Sequence, residues 1–139
     1  MFPIELERDA FRADNGEFGW TRVQVPIVVE LLRSHAMGIL GGELWWVRDG
    51  ATDWGLVPQR DGRPAVYAWE TNRRSGEPWA DFVERGANDA MAAAERFPDP
   101  GDLPSDLNGR VLYNLTWISE MEFEDLGKKT GRRRTFLNW

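Results

Sequence analysis

The stretch Glu43–Glu70, ELWWVRDGATDWGLVPQRDGRPAVYAWE, decides the fold class. It holds three apolar runs, Leu44–Val47, Trp54–Val57 and Ala65–Trp69, divided by the triplets Arg48-Asp49-Gly50 and Arg60-Asp61-Gly62. Asp-Gly between strand-like runs signals a hairpin, because Gly accepts the positive φ that a tight turn demands. An antiparallel, Trp-rich three-strand meander is expected. Pro58 places its strand end or edge there, since proline cannot donate to a ladder. Trp45 and Trp46 are neighbours on one strand and must point to opposite faces of the sheet. One helical layer cannot cover both.

Helices to cover the sheet are legible on either side. Pro26 suits a first helical position, and Ile27, Val28, Leu31, Leu32, Ala36 and Met37 give a broad apolar face that Gly38 terminates. From Pro78, the residues Trp79, Phe82, Val83, Ala87, Ala90, Met91 and Ala94 recur at spacings of three and four, which predicts an amphipathic helix to Arg96. Val111 to Ile118 reads as a strand with both faces apolar, Val111, Tyr113, Leu115 and Trp117 on one side and Leu112, Asn114, Thr116 and Ile118 on the other. Ser119 with Glu122 fits a capping box, and a short helix is expected from Glu120. Alternation from Trp20 to Val25 predicts another strand, and Leu6, Ala10 and Phe11 suggest a short helix before Asn15-Gly16. Phe97 to Gly109, with three prolines, reads as a surface loop, and Thr135 to Trp139 as a final strand or tail. The fold class expected is α+β, an antiparallel sheet packed against two main helices.

The chain has 139 residues, within the range of one domain, and 42% hydrophobic with 29% charged residues is an ordinary globular composition. A single domain over 1–139 is expected, with a basic C-terminal segment at 128–139. Cysteine is absent, which excludes disulfides, thiolate nucleophiles and sulfur-ligated metal sites. Met1-Phe2-Pro3-Ile4-Glu5-Leu6-Glu7 has neither a basic nor an apolar leader region, and no apolar run approaches a membrane span. A cytoplasmic location without membrane contact is expected. Net charge is −6, and Lys128, Lys129, Arg132, Arg133 and Arg134 are clustered, so the rest of the chain carries −11. Such a body repels nucleic acid and steers toward basic partners.

Chemistry-bearing motifs are sparse. His35 is the only histidine, which rules out a multi-histidine metal centre, and its place near a helix end suits a structural role. Gly127-Lys128-Lys129-Thr130 has Glu122 where a phosphate-binding loop needs its first glycine, and Gly38, Gly41 and Gly42 have the wrong spacing for a dinucleotide fingerprint. No cofactor and no metal are therefore expected. Glu120, Glu122, Glu124 and Asp125 form an acidic cluster able in principle to hold a cation or supply acid–base carboxylates, although an acidic helix start accounts for it. The basic cluster lacks the aromatic interleaving of nucleic-acid binders.

The eight tryptophans leave one positive candidate. Trp45, Trp46, Trp54, Tyr67 and Trp69 on the meander, rimmed by Glu43, Asp53 and Glu70, are the candidate partner surface, with two-sided burial of the meander as the plainer account. In size, acidity, freedom from cysteine and lack of catalytic motifs, the chain resembles the small immunity proteins that neutralise bacterial polymorphic toxins. The features that carry this are the Leu44-Trp45-Trp46-Val47 strand, the Pro78 helix and the acidic balance. The resemblance implies a non-enzymatic protein-binding module that occludes a toxic enzyme, with a partner that is basic or has a basic cleft. A hydrolase using Glu120, Glu122, Glu124 or Glu43 and Glu70 is the alternative, and a small-ligand module is a third. Oligomeric state is not set by the sequence.

Overall fold

A computed structural model describes residue 8 and residues 10–48, 51–54, 56–57, 65–97 and 109–130, with the side chains of these except at 51–54, 56, 129 and 130. The expected features at Leu6, Pro58, the Arg60-Asp61-Gly62 turn, most of the 97–109 loop and Thr135–Trp139 lie outside the described residues. The protein is α+β. Its elements in order are β1 (Phe11–Arg12), β2 (Phe18–Trp20), α1 (Val25–Ser34), β3 (Gly38–Arg48), β4 (Ala51–Trp54), β5 (Leu56–Val57), β6 (Ala65–Val66), β7 (Ala68–Glu70), α2 (Trp79–Arg96), β8 (Arg110–Ile118) and α3 (Glu120–Thr130).

Two long apolar strands organise the sheet. β3 and β8 pair antiparallel from Gly38↔Ile118 to Val47↔Arg110, with a bulge between Ile39 and Gly41. The path runs β1-β2-β8-β3-β4, and β7 also pairs with β3. Strand alternation divides the side chains into two layers. Leu44, Trp46, Val111, Tyr113 and Leu115 join Val25, Val28, Val29 and Leu32 of α1 and Ala87, Ala90, Ala93 and Ala94 of α2 in the main core. On the opposite face Trp45, Val47 and Leu112 pack with Ala13 and Phe11 from the β1–β2 end of the same sheet. Trp45 is 0% and Trp46 3% exposed, so each face of the sheet buries one of the adjacent tryptophans.

Close approaches fix these layers. A Cβ on Gly86 of α2 would lie 2.7 Å from the Ile39 carbonyl oxygen, so only glycine lets the helix descend onto β3 at that point. At Gly19 a Cβ would stand 3.0 Å from the Trp45 ring, and the absence of one there makes room for the indole that reaches from β3 across β8. A third, smaller cluster of Leu40, Trp79, Phe82, Val83 and Ile118, with Phe123 of α3 against it, closes the end of the sheet.

Three sequence expectations need correction. The strand expected over Trp20–Val25 ends at Trp20, because the Thr21 N–H donates to Gln24 Oε1 and the Gln24 and Val25 N–H groups both donate to the Thr21 carbonyl, coiling the chain into α1. Val23, read as an alternating strand residue, is instead 84% exposed. The helix that follows stops at Ser34, before Gly38. Ala36 takes φ 56°, with its N–H donating to the Arg33 carbonyl and that of Met37 to the Leu32 carbonyl, a Schellman closure made without glycine. Phe11, read at helical spacing, lies in β1, paired with Gly19.

The meander is present with a more folded path than expected. β3 and β4 pair antiparallel as far as Arg48↔Ala51, and Asp49-Gly50 between them lies outside the described residues. The second run divides between β4 and β5, and the third between β6, which pairs with β5, and β7. β7 then returns to β3 through Gly41↔Glu70, Gly42↔Trp69 and Glu43↔Ala68. With eleven residues, β3 seats β4 and β7 end to end along one edge. Gly42 permits this, since a Cβ there would lie 2.4 Å from the Trp69 ring.

Candidate partner-binding surface

Register decides where the meander's side chains go. Tyr67 and Trp69 of the returning segment turn to the helical layer, where the ring of Phe97 at the end of α2 packs tilted against the first and edge-on to the second, with centroids 5.5 and 5.7 Å away. Trp46 lies in the same layer. The indole N–H groups of Trp46 and Trp69 are enclosed and have no hydrogen-bond partner among the described residues. Trp45, on the other face, donates its N–H to Glu43 Oε1 at 3.0 Å. The described aromatic side chains of the expected surface are therefore interior or half-buried. Asp53 stands opposite Trp46 and Trp54 opposite Trp45 in the ladder, and their side chains lie outside the described residues.

The carboxylates go the other way. Glu43, Ala68 and Glu70 share the sheet face that α1 and α2 leave open, with Glu43 and Glu70 diagonal neighbours across the β3–β7 ladder. Ala68 and Glu70 are exposed and Glu43 half-buried. Glu43 is held in place by the Trp45 N–H, whereas Glu70 stands in solvent. Of the expected surface, the structure thus brings Glu43 and Glu70 together and separates them from Trp46, Tyr67 and Trp69, which occupy the other face.

Across the sheet, where β2 ends and β8 continues, a cleft of about 250 Å³ is lined by Glu17, Phe18, Asn114, Leu115, Thr116 and Trp117. Asn114 Nδ2 donates to the Phe18 carbonyl at 2.9 Å, pinning one wall. Its volume falls below the usual ~300–1,000 Å³ of small-molecule sites. Nothing in the sequence marked it, because it arises from the unequal lengths of two paired strands.

The acidic cluster of α3 divides among separate tasks. The Glu122 N–H donates to Ser119 Oγ at 3.2 Å while Glu122 Oε1 accepts the Ser119 N–H at 3.1 Å, the reciprocal capping box the sequence predicts. The bond from the Ser119 backbone, then that from its hydroxyl, lowers the Glu122 pKa below the ordinary carboxylate value. Glu124 accepts from Arg73 Nη1 at 3.1 Å. Among the described residues no group of three or more His, Asp or Glu side chains is placed to hold a metal ion. His35 is exposed at the C-terminus of α1, its backbone N–H donating to the Leu31 carbonyl. Lys128 is exposed, and the arginines of the basic cluster lie outside the described residues.

An arginine-rich brace that the sequence did not signal holds the segment between β7 and α2. Arg73 lies over the rings of Trp79 and Phe123 at 5.2 and 5.3 Å and donates through Nε and Nη2 to the Glu77 carbonyl. Arg85 grips the Glu77 carboxylate at 2.8 and 3.0 Å, and Thr71 donates to Asp89 at 2.7 Å. The brace fixes the end of β7 and with it the position of Glu70.

No described helix is long and apolar enough to cross a membrane. Comparison with protein-family models, with characterised proteins and with solved structures finds no match to this chain.

Proposed function

We propose that this chain is a non-enzymatic protein-binding module whose open sheet face meets a basic partner through Glu43 and Glu70, acting as an immunity protein that neutralises a bacterial toxin by direct binding. The observation that supports it best is that Glu43 and Glu70 share the open face of the sheet while Trp46, Tyr67 and Trp69 turn to the helical layer, in a chain of net charge −6. A face of that kind speeds encounter with a basic surface and selects against acidic ones. The toxin would be held with its cleft occluded, in the cytoplasm that both proteins share before export.

Carboxylate-dependent hydrolysis draws less support, since Glu122 and Glu124 serve the capping box and the arginine brace. The test is co-expression with a candidate toxic enzyme taken from the genes that adjoin this one. Wild type restores growth and co-purifies with the enzyme. The Glu43→Gln/Glu70→Lys variant loses at least ten-fold in affinity, Gln keeping an acceptor for the Trp45 N–H. Equal growth with and without the protein refutes the proposal.

A further inference from the structure

β7 is an edge strand whose outer side no strand pairs among the described residues. Its hydrogen bonds say which of its groups are spare. The Leu44 N–H donates to the Tyr67 carbonyl at 2.9 Å and the Thr71 N–H to the Leu40 carbonyl at 2.8 Å, on either side of Gly42↔Trp69. In an antiparallel ladder, backbone groups of alternate residues turn toward the partner strand. Tyr67, Trp69 and Thr71 therefore face β3, and the N–H and C=O groups of Ala68 and Glu70 face away from it. Both residues are exposed, so these groups are open to a new strand.

We propose that the outer edge of β7 is a strand-addition site that takes an extended Lys- or Arg-bearing segment of the partner as the next strand of the sheet. This rests on the acidic-face reading above and gives it a mode of binding. Backbone hydrogen bonds to Ala68 and Glu70 fix the register, and alternate side chains of the guest fall on the two faces. On the open face they meet Glu70, with Glu43 one strand further in. On the other face they meet the half-buried Trp69. Cations at every second position thus pair with carboxylates while the intervening positions favour apolar residues.

A second copy of this chain fits the edge less well. Pairing β7 with itself would set a second exposed Glu70 on the same face, like charge against like. The edge is also anchored well enough to act as a template, because the bond from Thr71 to Asp89 and the bonds from Arg85 to Glu77 hold the chain where it leaves the strand.

A capped nine-residue peptide of alternating Lys and Val is the probe, applied to the full chain. Amide hydrogen exchange at Ala68 and Glu70 is expected to slow at least ten-fold at saturating peptide. A peptide with the same side chains but N-methylated at the positions facing the edge is expected to bind at least ten-fold more weakly. Ala68→Pro removes only an outward-facing N–H, which an edge strand tolerates. It is expected to keep the wild-type unfolding midpoint and to lose peptide binding; should it fail to fold, the exchange and N-methyl comparisons on the wild type decide. Unchanged exchange at Ala68 and Glu70, or equal affinity for the N-methylated peptide, overturns strand addition. Peptide-induced shifts at Glu43 and Thr116 without protection of β7 overturn it while leaving the acidic face intact. Protection of β7 without peptide, with concentration-dependent dimerisation, overturns it in favour of a second copy. Loss of all binding to basic probes and to the partner removes both proposals.

Discussion

The indole N–H of Trp45 donates to Glu43, whereas that of Trp46 has no acceptor among the described residues, although both rings are almost wholly removed from water. A buried donor without a partner gives up its hydration for nothing, and taking it away is then less harmful than taking away a satisfied one. Replacing either indole by a phenyl ring removes similar volume, so the two substitutions differ mainly in the fate of the donor. Trp46→Phe is expected to destabilise less than Trp45→Phe by about 1 kcal/mol. Urea unfolding with unchanged slope measures the difference. An equal or reversed ranking would mean that the Glu43 contact contributes nothing to stability. The sequence shows that the two tryptophans must diverge, but not which is satisfied. That depends on Glu43 two positions away on the same face and on Gly109, where a Cβ would stand 2.3 Å from the Trp46 ring.

At the scale of elements, the arginine brace makes stability depend on pH in a definable window. Hydrogen bonds from Arg85 are the main cause that lowers the Glu77 pKa from 4.5 to about 2, with the Arg74 backbone N–H adding to it against the opposing effect of burial. A carboxyl whose pKa falls on folding stabilises the folded state fully above its unfolded value, and that contribution is lost as pH falls through the folded one. The midpoint of thermal unfolding is therefore expected to drop between pH 4.5 and pH 2 more steeply in wild type than in Glu77→Gln. Parallel curves would show that the pair contributes no linked stability. Elements with a strong internal period were legible in advance, α2 by its apolar stripe and β8 by alternation, because packing there follows the local pattern. A strand over Ala65–Trp69 was legible too, but its division into β6 and β7 and the pairing of β7 with β3 were not, since that pairing depends on the room left at Gly42 rather than on anything in Ala68–Glu70. The strand expected after Trp20 failed for a related reason, a hydrogen bond from the Thr21 N–H to the Gln24 side chain outweighing an alternating pattern only a few residues long.

For the molecule as a whole, charge and topology act together. The helices cover one face of the sheet, Trp45, Val47, Leu112, Ala13 and Phe11 pack together on part of the other, and that face also carries Glu43 and Glu70 on a body whose net charge is −6. The charge sign was legible from composition, but its placement was not, because composition cannot say that Trp46, Tyr67 and Trp69 turn to the helices and leave Glu43 and Glu70 on the open face. Long-range attraction of this kind acts on encounter before contact and is screened over about 10 Å at 0.1 M salt, so it belongs to the association rate more than to dissociation. Raising ionic strength from 0.05 to 0.5 M is therefore expected to slow association with a basic partner by at least ten-fold while changing dissociation little. Glu43→Gln/Glu70→Lys should flatten that dependence, since it removes the charges nearest the contact. Stopped-flow mixing across a salt series reads both. A rate constant indifferent to salt in the wild type would mean that the acidic face does not meet the partner at all.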